Sequence, residues 1–512
     1  MIVLSTESAQ AFYLKFIAGD SWLNSIIGRY QDWFRRSLLF IALYTFVGWL
    51  VLRPPLVSDP DIWWHLRIGK WIVEHHSVPF NNWFSAFGLG RPWFAYSWLF
   101  EILVHVLYQR LGYVGLILYV YGTAIGMTVF LHRLVKRVES RPAYSVGLTA
   151  VAMFAMAPLL QPRPWLLSIL FFLIEFDLLL AVRASRNYRR LYWLLPLFTL
   201  WANVHVQFVY GFFLLGLATI EGPLVQRLRK TQPSLNNEQA LSSGFMALIT
   251  AGSIAATLIN PYHIKLYAVL VDIFRQAGLY DLLSELKAME FRTMPDFIAL
   301  ILTLAAAYAL GRYRSVNMFW GILFAVSTIL AFRARRDVWF VTSVAVVLIP
   351  LLSKSATTVP RYVLSITQKI FISLSVILLL LLMLRTSHTT EPELQAQLTG
   401  TFPVKAVDFV EQQGYSGPLY NYYDWGGYLM WRFPEPIVSI DGRNQVHDMD
   451  RLRHYMGVWN GAPGWDSDHE LASSQVVIAE KTLPLAQLLR MDSRFQLVYE
   501  DQISTVFIAK TP

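Results

Sequence analysis

The run IFISLSVILLLLLMLR, residues 370–385, decides what kind of protein this is. It holds no acidic residue and one base at its very end, and its length approaches the roughly 20 residues an α-helix needs to cross a bilayer. Similar runs recur upstream near 37–53, 113–131, 143–160, 164–182, 191–204, 206–222, 241–260, 295–311, 316–332 and 338–353. Together they predict a polytopic α-helical membrane protein of about eleven spans. Hydrophobic residues make up 55% of the 512 and charged residues only 15%, against roughly 25% charged in soluble domains. That composition excludes an ordinary soluble fold.

Downstream of that run the pattern changes. From about Gly400, PLYN, IVSID, SQVVIAE, FQLVYED and STVFIA read as short strands, set among helical stretches such as 403–413 and 484–490. This predicts a compact α/β domain over 391–512. Charge separates the two parts: from Glu391 onward there are 9 Lys+Arg against 16 Asp+Glu, which out of totals of 43 and 34 leaves 34 against 18 before it.

The basic residues gather in alternate loops, RYQDWFRR (29–36), RLVKRVESR (133–141), RASRNYRR (183–190), QRLRK (226–230), GRYR (311–314) and Lys354 to Lys369. The positive-inside rule makes that side cytoplasmic, with residues 1–36 on it. This works only if 94–111, which carries Glu101 and His105, lies at the outer interface as an amphipathic helix rather than spanning. The membrane domain is then 37–390, with a large outer loop over 54–112, and the C-terminal domain is extracytoplasmic. The net charge of +9 is this loop bias and does not point to nucleic acid. MIVLSTESAQ lacks the basic segment and short apolar core of a cleavable signal peptide, so the first span is expected to stay as an anchor. Cysteine is absent, which excludes disulfides, thiolate metal sites and Cys nucleophiles.

Polar residues collect on the outer side. The loop VSDPDIWWHLRIGKWIVEHHSVPFNNWFSAFGLGRPWF (57–94) sets Asp59 and Asp61 just beyond the first span, followed by Trp63, Trp64 and His65. A carboxylate there can deprotonate a hydroxyl or hold a divalent cation such as Mg or Mn through oxygen, although Asp and Pro are also ordinary turn residues. The tryptophans suit an interfacial belt or stacking on sugar faces. Gln161 and Arg163 in LLQPRPW, and Asn203 and His205 in LWANVHVQF, interrupt apolar runs at outer ends, where polar groups tend to line cavities. For His205 an interhelical hydrogen bond is the plainer alternative. Glu175 and Asp177 lie toward the cytoplasmic end of their span and suit pairing between helices. RARRD (333–337) breaks the orientation rule, and its Arg333, Arg335 and Arg336 suit either a lipid phosphate or ordinary headgroup contact. In the tail, DWGGY (424–428) reads as a turn and DGRNQVHD (441–448) as a loop. Asp441 and Arg443 stand at an expected strand's carboxyl end, where open α/β sheets place ligands, or form a structural ion pair.

DPDIWWHLRIGKWIVEHHSVPFNNWFS resembles a family of bacterial multi-span proteins in the glycosyltransferase C-fold superfamily. The resemblance continues through PWFAYSWLFEILVHVLY, QPRPWLLSILFF, LWANVHVQFVYGF, LINPYHIKLY and YNYYDWGGYLMWRFPEPIVSIDGR, and so covers nearly the whole chain. It implies an inner-membrane glycosyltransferase using dolichyl- or undecaprenyl-phosphate sugars, with a glycan, lipid or protein acceptor on the outer side. The essential acid would be Asp61 or Asp59, the base for an inverting displacement. The lipid phosphate would meet Arg163 or the Arg333, Arg335 and Arg336 cluster, and Trp64, His65, Asn203, His205, Asp441 and Arg443 complete the candidate binding set. Where related sequences often show an HG pair, Val206 follows His205 here. A transporter would need paired broken helices in repeated halves, which the pattern lacks. An acyltransferase would need a nucleophile motif such as GxSxG, also lacking. A glycan-binding scaffold without catalysis is the remaining alternative.

Overall fold

The computed structural model describes residues 6–53, 55–228, 240–275, 286–312, 318–353, 362–387, 389–433, 435 and 437–510. The basic loops expected at 226–230, 311–314 and 354–369 lie partly outside them.

Each expected span coincides with a helix: α1 (Thr6–Val51), α4 (Tyr113–Val138), α5 (Pro142–Ala155), α6 (Trp165–Ser185), α7 (Leu194–Val204), α8 (Phe208–Leu228), α9 (Ser243–Thr257), α11 (Met294–Arg312), α12 (Met318–Arg333), α13 (Val338–Ser353) and α14 (Ile366–Thr386). Two helices in the outer loop, α2 (Ile62–His75) and α3 (Trp98–Leu111), and a connecting α10 (Leu266–Arg275) complete this part. Among the described residues six stretches are long and apolar enough to cross a bilayer: 28–51, 113–138, 165–185, 208–227, 294–312 and 366–386. Helices α5, α9 and α12 are shorter and apolar. α3, which carries Glu101 and His105, is in neither group.

α13 is apolar all round and accordingly sits inside, touching α4, α5, α6, α11 and α12. α14 touches α1 and leaves Leu374, Ile377, Leu378, Leu381 and Leu382 exposed, the face a bilayer would cover. Two charges of α6 are paired across helices, Asp177 as expected, while Glu175, expected to pair likewise, does not do so among the described residues. Asp177 takes Arg133 at 2.9 Å and Arg137 at 2.6 Å, and Arg183 pairs with Glu221. The carboxylate oxygens of Glu175 are buried without a hydrogen-bond partner, against the backbone of Gly211 on α8.

α2 and α3 pack tightly because Gly69 lets their backbones approach; a Cβ there would fall 2.1 Å from the Glu101 carbonyl oxygen. Trp63, 1% exposed, meets Tyr108, Tyr113, Phe402 and Tyr428 edge-on. It thereby joins the outer loop to the tail.

The tail begins with α15 (Glu391–Thr401) and α16 (Val404–Gln413), followed by β1 (Leu419–Asn421), α17 (Gly426–Arg432), α18 (Met449–Trp459), α19 (His469–Ser473), β2 (Val476–Glu480), α20 (Pro484–Met491), β3 (Phe495–Glu500) and β4 (Ser504–Ala509). The sheet order is β1-β2-β4-β3, with β1 parallel to β2 and the other pairs antiparallel. Two expectations are corrected. IVSID is not a strand: it makes one isolated bridge, Val438 to Leu419, and Asn421 bonds Ser439 and Ile440 through its side chain instead. DWGGY is not a turn but the start of α17, and its glycines serve close approach. A Cβ on Gly426 would lie 1.9 Å from the Ile440 carbonyl oxygen, and one on Gly427 2.6 Å from that of Pro60.

Candidate functional site

Asp61 stands at the N-cap position of α2 without bonding the helix through its side chain, and its backbone N–H is turned back onto Asp59 Oδ1 at 3.0 Å, a local bond that Pro60 favours by fixing the chain between them. The two carboxylates point at one guanidinium. Arg163 Nε donates to Asp59 Oδ2 at 2.6 Å, and its Nη1 donates to Asp61 Oδ2. Arg163 is set just ahead of α6, its carbonyl accepts from the Tyr119 hydroxyl on α4 at 2.8 Å, and its guanidinium lies 5.0 Å from the centre of the Trp165 ring. Asp59 and Arg163 are buried and Asp61 is half-buried. The acids follow α1, which packs on α4, and α4 packs on α6, so residues about a hundred positions apart are brought together.

Asp61 and Arg163 stand between two cavities. The first, about 340 Å³, runs inward between helices and is walled by Val206, Val209, Phe213, Leu270, Val326 and Phe340, with Arg333 and Arg336 among its lining groups. The second, about 700 Å³, lies between Pro60 and Asp61 on one side and Tyr422, Tyr423, Asp424 and Asn460 of the tail on the other. Asp61, Arg163, Trp165, Arg336 and Asn444 line both.

The remaining expected residues divide. Trp64, His65 and His205 line the inner cavity. His65 Nδ1 meets Glu101 Oε1 at 3.3 Å, both side chains fully buried. Burial pushes the Glu101 carboxyl well above its ordinary range, while burial and then Arg163 push His65 well below its own, so the contact is a neutral hydrogen bond. His205 Nδ1 meets Ser168 Oγ at 2.9 Å, and Ser168 accepts from Trp201 Nε1. Arg335 pairs with Asp296 at 3.4 Å and lines the outer cavity, not the inner one. Asn203 does not reach the inner cavity; it accepts from Trp98 Nε1 at 2.8 Å and donates to the Thr199 and Ile259 carbonyls.

Asp441 and Arg443 form a buried pair, 0% and 1% exposed, with Arg443 Nη2 on Asp441 Oδ2 at 2.7 Å. Burial alone would raise the Asp441 carboxyl, but Arg443 outweighs it and holds the group well below the usual carboxylate range. Arg443 also donates to Asn82 Oδ1 at 2.9 Å and stacks on Phe84 and Trp93 of the outer loop. Neither residue lines either of these two cavities; their neighbours Gly442, Asn444 and Gln445 line the inner one. The pair seats the loop 441–448 so closely on the outer loop that a Cβ on Gly442 would fall 2.0 Å from Asp61 Oδ1.

Sequence reasoning missed Tyr96, Gln207 and Asn444 in the inner cavity and Tyr422, Tyr423 and Asp424 in the outer one. The DGRNQVHD loop was flagged, but charge drew the choice to Asp441 and Arg443 over the amides beside them.

For a divalent cation, Asp59 and Asp61 supply the obvious oxygens, but both are committed to Arg163. Among the described residues no group of three or more His, Asp or Glu side chains is placed to hold a metal ion. The donor set does not fit one in this arrangement, and no step is assigned to a metal.

No family model matches the chain, and no curated protein matches it. Among solved structures it is similar to ArnT from Cupriavidus metallidurans bound to undecaprenyl phosphate, at 13% identity and a TM-score of 0.49, over 92% of this chain and 97% of that one. It is also similar to the Archaeoglobus fulgidus oligosaccharyltransferase tethered with an acceptor peptide containing the NVT sequon, at 11% identity and a TM-score of 0.48, over 87% of this chain and 69% of that one. The same figures hold for AglB from that organism in complex with an inhibitory peptide and a dolichol-phosphate.

Proposed function

We propose that this chain is an integral membrane glycosyltransferase that transfers a sugar from a polyprenyl-phosphate donor to an acceptor on the extracytoplasmic side, with inversion at the anomeric carbon. One observation carries the reading: Asp61, held by Arg163, stands where an inner cavity with apolar walls and arginines meets an outer, polar one. A lipid phosphate needs such a cavity, aliphatic for the chain and guanidinium for the charge. An acceptor hydroxyl needs a base at its end.

In the reaction, Asp61 takes the proton of the acceptor hydroxyl as its oxygen attacks the anomeric carbon, and the bond from that carbon to the phosphate oxygen breaks. The negative charge gathers on the departing lipid phosphate beside Arg336 and Arg333. Phosphate arriving near Arg163 competes with Asp61 for the guanidinium and leaves the carboxylate the better base. Asp59, the more buried acid, keeps Arg163 in place. Of the two candidates Asp61 is therefore assigned the base and Asp59 a positioning role. The topology that goes with this function has the eleven helices spanning, α2 and α3 at the outer interface, residues 1–36 cytoplasmic and the tail outside.

A transfer assay on purified protein, with radiolabelled undecaprenyl-phosphate sugars and membrane extract as acceptor, tests it. Asp61→Asn is expected to lower transfer by about 10²- to 10⁴-fold, the usual worth of a general base. Asp59→Asn is expected to lower it less. Full transfer by Asp61→Asn, or none by the unaltered protein with any donor, would sink the reading and favour a glycan-binding scaffold.

A further inference from the structure

We propose that the outer cavity binds a carbohydrate, and that the acceptor of the transfer is a glycan held between the tail and the outer loop. This rests on the function proposed above and adds the acceptor class to it.

The chemistry of the lining carries the assignment. Its tail side presents two tyrosine rings, a carboxylate and two amides: Tyr422, Tyr423, Asp424, Asn444 and Asn460. A sugar offers an apolar C–H face and a ring of hydroxyls, each both donor and acceptor. Aromatic faces match the first, and planar carboxylates and amides match the second. The side chains are also held in advance. The Tyr422 hydroxyl donates to Asp424 Oδ2 at 2.9 Å, and the Tyr423 hydroxyl donates to Asn444 Oδ1 at 2.8 Å. Because Asn444 accepts through its oxygen, its amide nitrogen is the group it offers a ligand. Tyr422 is braced edge-on by Trp425 and Trp459, at 5.6 and 5.8 Å between ring centres. Groups fixed before binding lose little entropy when a ligand arrives.

Size and position agree. A volume of about 700 Å³ falls within the roughly 300–1,000 Å³ of small-molecule sites, enough for more than one sugar ring. A glycan lying along Tyr422 and Tyr423 has its end at Asp61, the one acid shared with the inner cavity. A lipid acceptor buried by its tails would want the aliphatic walls of the inner cavity instead. An extended peptide would want an open strand edge, yet the free side of β1 is taken by the bridge to Val438.

The test uses the purified full chain in nanodiscs and two separate titrations. One uses soluble tetrasaccharides, of β-1,4-linked N-acetylglucosamine, β-1,4-linked glucose, α-1,4-linked glucose and α-linked mannose, read by saturation-transfer NMR and tryptophan fluorescence. The other uses undecaprenyl phosphate. At least one tetrasaccharide is expected to bind, and Tyr422→Ala and Asp424→Asn to weaken it by about tenfold or more, the worth of a stacking face or of a hydrogen bond to a charged group. Neither residue lines the inner cavity, so undecaprenyl phosphate binding should stay unchanged in both. Asp424→Asn is isosteric at an exposed side chain and keeps the test open if Tyr422→Ala misfolds. Binding of no tetrasaccharide, binding indifferent to both variants, or displacement by a serine-containing heptapeptide in its place would overturn the proposal. Tetrasaccharide binding without undecaprenyl phosphate binding would instead leave the cavity assignment standing and remove the transferase reading.

Discussion

Gly442 lies where the tail meets the acid loop, with a hypothetical Cβ 2.0 Å from Asp61 Oδ1 and 3.3 Å from Trp64 Nε1. Gly442→Ala must therefore displace Asp61 or lift the loop. A misplacement of about 1 Å can cost about 10²-fold in rate, so transfer is expected to fall by about that factor. Overpacking costs only about 1–3 kcal/mol of stability, so a thermal melt should still show folded protein. Gly147→Ala on α5, with nothing within 4 Å, is the control and should match the unaltered enzyme in both measurements. Arg163 and the arginines of RARRD stand out in the sequence because charge at membrane depth is expensive, whereas Asp59 and Asp61 read equally as an ordinary turn and only the resemblance points to an essential acid. What remained hidden was the pairing. Nothing local to LLQPRPW says that Arg163 will reach Asp59 and Asp61, 104 and 102 positions away; the packing of α1 on α4 and of α4 on α6 decides that.

The loop 441–448 is the element whose ionisation ties the tail down. Burial, resisted by Asp441, keeps His447 below its ordinary pKa, so the unfolded chain binds a proton there that the folded one refuses. That makes folded stability fall as the pH drops below about 6.5. Asp441 is depressed by Arg443, so its contribution is present above about 3.9 and is lost as pH falls through the folded value. Both effects have the same sign: acidification from pH 7.5 to 4 should lower the melting temperature of the tail through His447, and acidification below pH 4 should lower it further through Asp441. The slope is at most about 1.4 kcal/mol per pH unit for each proton. His447→Gln should flatten the part just below pH 6.5, measurable by near-ultraviolet circular dichroism. Arg443→Ala leaves Asp441 buried and unpaired and should cost about 3–5 kcal/mol. Helices of regular apolar period were legible at this scale, as were β1 to β4. IVSID was misread because its β-branched residues fit a strand, whereas Asn421 and the outer loop, through Ala86 N–H on the Val438 carbonyl at 2.8 Å, take up its backbone groups. The DWGGY helix was misread because paired glycines usually mark turns, while here they permit contact.

At the scale of the whole molecule, buried apolar side chains run without a break from the spanning helices through Trp63 and Phe402 into Val476 and Val506 of the tail sheet. The tail is therefore seated rather than tethered. The absence of cysteine makes this simple to check. Ala86→Cys with Val438→Cys should crosslink on mild oxidation and shift the protein on a non-reducing gel, while either alone should not. A failure to crosslink would mean the tail rests elsewhere. A single cysteine at exposed Asp450 should react with a membrane-impermeant maleimide on intact cells, and one at exposed Arg189 only after permeabilisation. The reverse pattern would invert the topology. Composition made the membrane class plain, yet the seating of the tail was not legible, since contacts of this range leave no periodicity in the chain.

Asn82 and Arg443 are 361 positions apart, and the bond that seats the tail on the outer loop cannot form until the later residue is in place. A ribosome feeding this chain into the bilayer from its N-terminus delivers the acid loop early and the tail late. For most of its synthesis the outer cavity lacks the wall that Tyr422, Tyr423 and Asp424 supply, so the reactive centre is completed only after the helices between have been inserted.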